Sequence, residues 1–282
     1  MDNNSSKPLY IITGATDAMG SVITQQLAEA GHPIVMACFD TAKSEAKAQE
    51  LAIRTRNKDI TSIYLDLGSF ASVRTFVKQI KEMNRPVAVL VNNASYISHR
   101  SEISPDGYEK LVQVNFLSTA LLSILIQPLM VEGGRIIFST SLSSSPVSIP
   151  YEFPAVSNFM PIAAYAQSKL ALSLFSIYLS TVLRNHRISV NSVDPGLVNL
   201  SKLGMNRFFS RFSFISNHTG NLESGAKAMM RAIGSADTGF IFKSGNKQIK
   251  ASTLLRNREV FIKLCNDTMR VLNKQLKDPE EA

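Results

Sequence analysis

The chain has 282 residues, 45% of them hydrophobic and 18% charged, with a formal net charge of +8. That balance supports a sizeable packed core and excludes a disordered, collagen-like or disulfide-stapled chain. Outside residues 202–211 the basic residues form no stripe interleaved with aromatics, so no nucleic-acid partner is expected despite the positive charge.

The N-terminal MDNNSSKP leads into no apolar stretch that ends in small residues, so no secretory signal is expected. LYIIT (9–13) and PIVMAC (33–38) are short β-rich apolar runs, and MGSVITQQLAEAG between them reads as a helix ending at Gly31. AKSEAKAQELAIRTR follows as a helix, ITSIYLDL as a strand, SFASVRTFVKQIKEM as a helix opened by Ser69, and VAVLVNN as a strand. Residues 111–130, LVQVNFLSTALLSILIQPLM, are long enough to cross a membrane but carry Gln113, Asn115, Gln127 and Pro128, which predicts a buried or interface helix and no integral membrane segment. RIIFSTS, RISVNSV and TGFIF complete the strands, with YAQSKLALSLFSIYLSTVLRN a long helix between the first two. No Pro- or Ser-rich linker interrupts this order, so one domain over 1–282 is expected. Cys38 and Cys265 suit a reducing, cytoplasmic setting, and His32, His99, His186 and His218 lack ligand spacing, so no metal site is expected.

Strands alternating with helices imply an α/β fold, a parallel sheet with helices on both faces. Ligands of such sheets sit beyond the C-terminal strand ends. The exits here read TGATDAMG, Asp66, NNAS, STS and DPG. In the first, Gly14 and Gly20 flank a strand-to-helix turn, which suits a phosphate cradle and equally an ordinary tight turn. YAQSK puts Tyr165 and Lys169 one helical turn apart, either as a surface couple or as a coupled acid and base.

Taken together, the glycine turn, NNAS, the serine after strand five and Tyr165-three-Lys169 resemble the short-chain dehydrogenase/reductase family. Ala18 stands where that family has a middle glycine, and Ser95 where it has the glycine of NNAG. YLDLGSFASVRTF, RIIFSTS, SVDPGLV and the late ESGAKAMM…TGFIF look like its retinol-dehydrogenase-like branch, and the likeness covers nearly the whole chain. The resemblance implies a Rossmann fold, a doubly wound parallel sheet of about seven strands.

It also implies site residues. Tyr165 would exchange a proton with the substrate oxygen, Lys169 would support it and reach the nicotinamide ribose, Ser141 would polarise the oxygen in preference to Ser139 or Thr140, and Asn115 would support a water-linked proton path. A free phenol titrates near pH 10, so work near neutrality needs a shift of roughly 4 kcal/mol toward phenolate, which the Lys169 ammonium and an oxidised nicotinamide are expected to supply. The implied cofactor contacts are Gly14, Met19, Gly20, Asp66, Leu67, Asn93, Ala94, Tyr165, Lys169, Pro195, Gly196 and Val198, with Asn199 in place of a usual threonine.

At the end of strand two, MACFDTAK has neither an acid at Cys38 for NAD nor the branch's arginine at Phe39 for NADP. Asp40 could engage a ribose and Lys43 a phosphate, while Asp17 would repel one; the balance leans to NADP(H) over NAD(H). The proline-containing stretch between Ser141 and Tyr165 should rim the active site. Residues 196–220 match the family's substrate lid, and Leu203, Met205, Phe208, Phe209, Phe212 and Phe214 within it suit a lipophilic carbonyl or alcohol, or the packing of a lid helix or a membrane contact. The expected function is therefore an NAD(P)-dependent oxidoreductase, with a dinucleotide-sensing or scaffolding protein as the alternative. The helix at 111–130 and the Tyr165 helix are the faces that the family pairs into homodimers or homotetramers.

Overall fold

The computed structural model describes residues 7–141, 148–150, 152–156, 159–195 and 222–276. Strand β1 (Leu9–Thr13), helix α1 (Ala18–Glu29), β2 (Ile34–Cys38), α2 (Thr41–Thr55), β3 (Ile60–Tyr64), α3 (Phe70–Glu82) and β4 (Val87–Asn92) form the first half. The second half runs α4 (Lys110–Val112), α5 (Ser118–Ile126), β5 (Met130–Ser139), α6 (Pro161–Val182), β6 (Ser189–Asp194), α7 (Leu222–Gly234), β7 (Phe240–Lys243), β8 (Gln248–Lys250) and α8 (Arg258–Leu276). Among the described residues the sheet order is β3-β2-β1-β4-β5-β6-β7-β8. Every pair is parallel except β7 with β8.

Local chemistry explains the elements. β2 is buried along its whole length, as a continuous apolar run sandwiched between helix layers must be. Along β1 the pleat sends Ile11 into one core and Ile12 into the other, so consecutive residues serve opposite faces. α3 begins where the Ser69 hydroxyl accepts a hydrogen bond from the Ser72 amide, and it buries Phe70, Val73, Phe76 and Ile80 along one stripe. Each such side chain contributes roughly 1.5–3 kcal/mol by leaving water, so Phe76→Ala alone would remove about 3–5 kcal/mol.

α3, α5, α6 and α8 pack on one face of the sheet and α1, α2 and α7 on the other. β1 lies between β2 and β4, so the chain leaves β1 for one edge and starts again from β4 toward the other. That reversal is the topological switch point, and the crevice it leaves beyond the strand ends is the place for a ligand.

Lys110–Leu129 and Pro161–His186 are long and apolar enough to cross a membrane, and in this fold most of each window is buried. The first is not one regular helix. Between α4 and α5, residues Gln113–Leu117 form a π-helical turn, whose widened ladder lets the Thr119 hydroxyl bond the Val114 carbonyl at 2.9 Å.

Candidate active site

The turn after β1 is built by close contact. Gly14 has φ +60°, and a Cβ there would come within 2.6 Å of Asp17 Oδ2 and 2.9 Å of Ala94 Cα. A Cβ on Gly20 would lie 2.1 Å from the Gly14 carbonyl oxygen and 2.7 Å from Asn93 Nδ2. Gly14 thus serves the tight turn and Gly20 the close seating of helix on strand.

Asn93 is spent on this turn: its Nδ2 donates to the Thr13 and Gly14 carbonyls at 3.2 and 3.1 Å. The Asn93 side chain thus braces the turn from behind. Thr13 Oγ1 accepts from the Asn93 and Ala94 amides, each at 3.0 Å, and so locks the exits of β1 and β4 together.

At the start of α1, Asp17 makes no side-chain cap, leaving the Ala18, Met19 and Gly20 amides without intrahelical partners at the positive end of the helix. Ala18 is exposed, so its methyl closes nothing within the turn. Met19 is buried toward α7, its sulfur close to Gly225. Unpartnered amides and two glycines with no room for a side chain fit a dinucleotide's pyrophosphate at this crevice.

At the exit of β2, Cys38 is buried and its thiol is pushed up by that burial. Asp40 caps α2, its Oδ1 accepting from the Lys43 amide at 3.0 Å. Phe39 and Tyr64, 68% and 46% exposed, stand together at the ends of β2 and β3 with ring centroids 5.9 Å apart. Asp66 Oδ1 accepts from the Gly68 amide at 2.7 Å, shaping the turn into α3. The Leu67 side chain lies in the main core.

The chemistry-bearing groups meet around α6. Tyr165 is half-buried in its second turn, and Lys169, one turn on, is 2% exposed. Lys169 Nζ donates to the Ser139 carbonyl at 3.1 Å and lies 5.7 Å from the centre of the Tyr165 ring. Burial lowers its pKa to about 8, so it stays charged at pH 7 by roughly ten to one.

The phenol departs from expectation. Burial pushes the Tyr165 pKa up, a hydrogen bond from Ser95 pulls it down, and the Asp194 carboxylate pushes it up again. Burial is the largest of these influences and opposes the acidification expected from Lys169 and an oxidised nicotinamide together.

Of the three hydroxyls after β5, Thr140 Oγ1 bonds the Val193 carbonyl at 3.1 Å, and Ser139 ends the strand opposite Val193. Ser141 is half-buried just beyond them. Asn115, in the π turn, accepts from the Tyr96 amide at 2.7 Å and donates to the Tyr96 carbonyl at 2.8 Å and to Ser168 Oγ at 3.4 Å. Ser168 in turn bonds the Tyr165 carbonyl at 2.7 Å, so Asn115 ties the β4 exit to the helix that carries the phenol. Pro195 is buried below α7, with Gly225 too close to it for a side chain. Gly196, Val198, Asn199 and the whole 196–220 lid lie outside the described residues.

Two members of this constellation were missed from sequence. Thr13 looked like an ordinary strand end, though its place before Gly14 hinted at a brace, and Ser95 looked only like a departure from NNAG.

The short chain dehydrogenase family profile matches residues 9–209. Polyprenol dehydrogenase of Homo sapiens is 31% identical over 198 residues, covering 67% of this chain and 60% of that protein. Retinol dehydrogenase 13 of Homo sapiens is 34% identical over 191 residues, covering 66% of this chain and 58% of that protein. Part of each relative therefore lies beyond the matched region.

Among solved structures, an uncharacterized protein from Mycobacterium Paratuberculosis superposes with a TM-score of 0.74 at 22% identity, covering 95% of this chain and 94% of the other. A short-chain dehydrogenase from Sphingobium yanoikuyae in complex with NADPH gives 0.65 at 17% identity, covering 98% of each chain. Both share the fold. With this sheet order, this glycine turn and a family match over most of its length, the chain belongs to the short-chain dehydrogenase family, in its retinol-dehydrogenase-like branch.

Proposed function

We propose that the protein is an NADP(H)-linked oxidoreductase that interconverts a carbonyl and an alcohol on a lipophilic small molecule. The observation that carries this reading is the buried, still charged Lys169 beneath the half-buried Tyr165 phenol, at the crevice where β1 and β4 diverge. A buried ammonium is costly and is kept where it serves chemistry.

The α1 amides of Ala18, Met19 and Gly20 would hold the pyrophosphate, and Lys169 the nicotinamide ribose. When bound, the nicotinamide supplies or accepts the hydride and, oxidised, adds positive charge beside the phenol. Tyr165 exchanges the proton with the substrate oxygen. Ser141 hydrogen-bonds the same oxygen and fixes its approach. Because burial keeps the free phenol protonated, the resting site is set to donate a proton to a carbonyl oxygen.

NADP(H) is favoured because β2 ends on Cys38, where an acid would select the ribose of NAD and repel a 2′-phosphate, and the nearby Asp40 carboxylate caps α2. The complex of the Sphingobium yanoikuyae enzyme with NADPH is consistent with this choice. The names of the polyprenol and retinol dehydrogenase relatives support a lipophilic alcohol or its carbonyl partner.

Titration with NADPH and NADH, followed by turnover on a panel of long-chain aldehydes, ketones and alcohols with Tyr165→Phe in parallel, tests the reading. Tighter NADPH binding is expected, with turnover falling about 10²- to 10⁴-fold in the variant while binding persists. Binding without turnover across the panel would favour dinucleotide sensing, and no binding would end the proposal.

A further inference from the structure

Pro195 stands just past the end of β6, and two elements converge on it for reasons the proton transfer does not supply. From the first turn of α7, Gly225 packs so closely that a Cβ there would lie 2.9 Å from Pro195 Cβ and 3.4 Å from Met19 Sδ. From the turn between β7 and β8, the Ser244 hydroxyl donates to the Pro195 carbonyl at 3.1 Å. That turn is itself tied to α7. The Lys243 amide closes it on the Lys247 carbonyl at 2.8 Å, and Arg231 Nη2 donates to the Lys243 and Lys247 carbonyls at 2.7 and 3.3 Å. One helix therefore touches Pro195 directly and also holds the turn that supplies its hydrogen-bond donor.

The position of Pro195 gives this meaning. Val193 pairs with Ser139, whose carbonyl takes the Lys169 ammonium, and the Thr140 amide donates to the Val193 carbonyl at 2.8 Å. Pro195 thus flanks the reacting end of the crevice. Met19 opens α1, among the amides assigned to the pyrophosphate. Gly225 is wedged between a residue of one end and a residue of the other. The other small buried positions of α7, Ala226, Ala228 and Ala232, all carry a methyl, whereas a glycine costs a helix roughly 0.5–1 kcal/mol relative to alanine. A methyl at 225 would press on Pro195, whose ring carbon cannot swing aside as a methionine sulfur can.

We propose that α7 and the β7–β8 turn clamp Pro195, with Gly225, Arg231 and Ser244 as positioning residues that fix the nicotinamide half of a bound dinucleotide relative to its pyrophosphate. This deepens the reading of the crevice as an NADP(H) site and rests on it. The two halves of the cofactor are then set by different parts of the chain: the α1 turn grips the pyrophosphate, and the clamp sets the span from there to the Lys169 end. Hydride transfer tolerates little error in that span, since a misplacement of about 1 Å can cost on the order of 10²-fold in rate.

The test is calorimetric titration of the full chain with NADPH and with 2′-phospho-ADP-ribose, which keeps the pyrophosphate but lacks the nicotinamide ring. Gly225→Ala is expected to weaken NADPH about tenfold and to leave 2′-phospho-ADP-ribose within about twofold of the parent. Ser244→Ala should weaken NADPH about threefold with the same selectivity, and Ser244→Thr should return it toward the parent. Ser244 is half-buried in a turn, so its variants serve if Gly225→Ala fails to fold. Unchanged NADPH affinity in the folded variants, or equal losses for both ligands, would overturn the clamp while leaving the dinucleotide reading in place. A parent that binds neither ligand would overturn that reading and the clamp with it.

Discussion

Replacing Lys169 by methionine should make the protein more stable at neutral pH while destroying its activity. An ordinary lysine titrates at 10.5 and this one at about 8, with burial as the cause. The difference corresponds to about 3 kcal/mol that the folded state loses by carrying the charge inside. The sign follows from which state holds the proton. Below pH 8 both folded and unfolded chains are protonated and the full cost applies; between pH 8 and 10.5 the folded chain has released its proton and the cost fades; above 10.5 it is gone.

Methionine fills nearly the same space without charge but leaves the Ser139 carbonyl without its partner, a loss of about 1–2 kcal/mol. The net expectation is a gain of ~1–2 kcal/mol at pH 7, a few degrees in Tm, shrinking as the pH is raised toward 10. Urea unfolding of both proteins at pH 7 and pH 10 measures it. A variant less stable than the parent at pH 7, or a difference that ignores pH, would refute the reasoning that Lys169 is a strained charge retained for chemistry.

Other outcomes follow from the same contacts. Gly20→Ala should cost about 1–3 kcal/mol and abolish dinucleotide binding, because its new methyl would sit 2.1 Å from a backbone oxygen that cannot swing away; calorimetric melting and NADPH titration check both. Phe39→Arg should tighten NADPH about tenfold and leave NADH nearly unchanged, since an exposed ring at the β2 exit gives way to a bidentate phosphate ligand; fluorescence titration with both cofactors reads it. Asp40→Ala should lose about 1 kcal/mol of stability with no change in cofactor preference, as expected of a helix cap; a changed NADPH-to-NADH ratio would show that the carboxylate serves the ribose after all.

The order of strands and helices was legible because parallel strands buried on both faces leave unbroken apolar runs, as in β2, and because α3 declares its start with Ser69 and its face with Phe70, Val73 and Phe76. β8 was not legible: three residues of a half-exposed edge carry no such run. The π turn around Asn115 leaves no compositional mark either, since it depends on one extra residue per turn rather than on residue type.

In the site, Gly14 and Gly20 could be found because their positions forbid a side chain. Tyr165 and Lys169 could be paired by spacing, but spacing says nothing of burial, which raises the phenol's pKa in the protein without cofactor, or of what else the ammonium touches. Asp40 was weighed as a ribose contact and its cap on α2 was not foreseen, although an aspartate immediately before a helix is often spent on capping.

The most direct measurement is a crystal structure of the protein with NADPH bound. The account predicts the pyrophosphate on the amides of Ala18, Met19 and Gly20 and the nicotinamide ring over Pro195, with the Tyr165 hydroxyl within hydrogen-bonding reach of a substrate oxygen beside it. A dinucleotide seated elsewhere, or a phenol directed away from the nicotinamide, would contradict it.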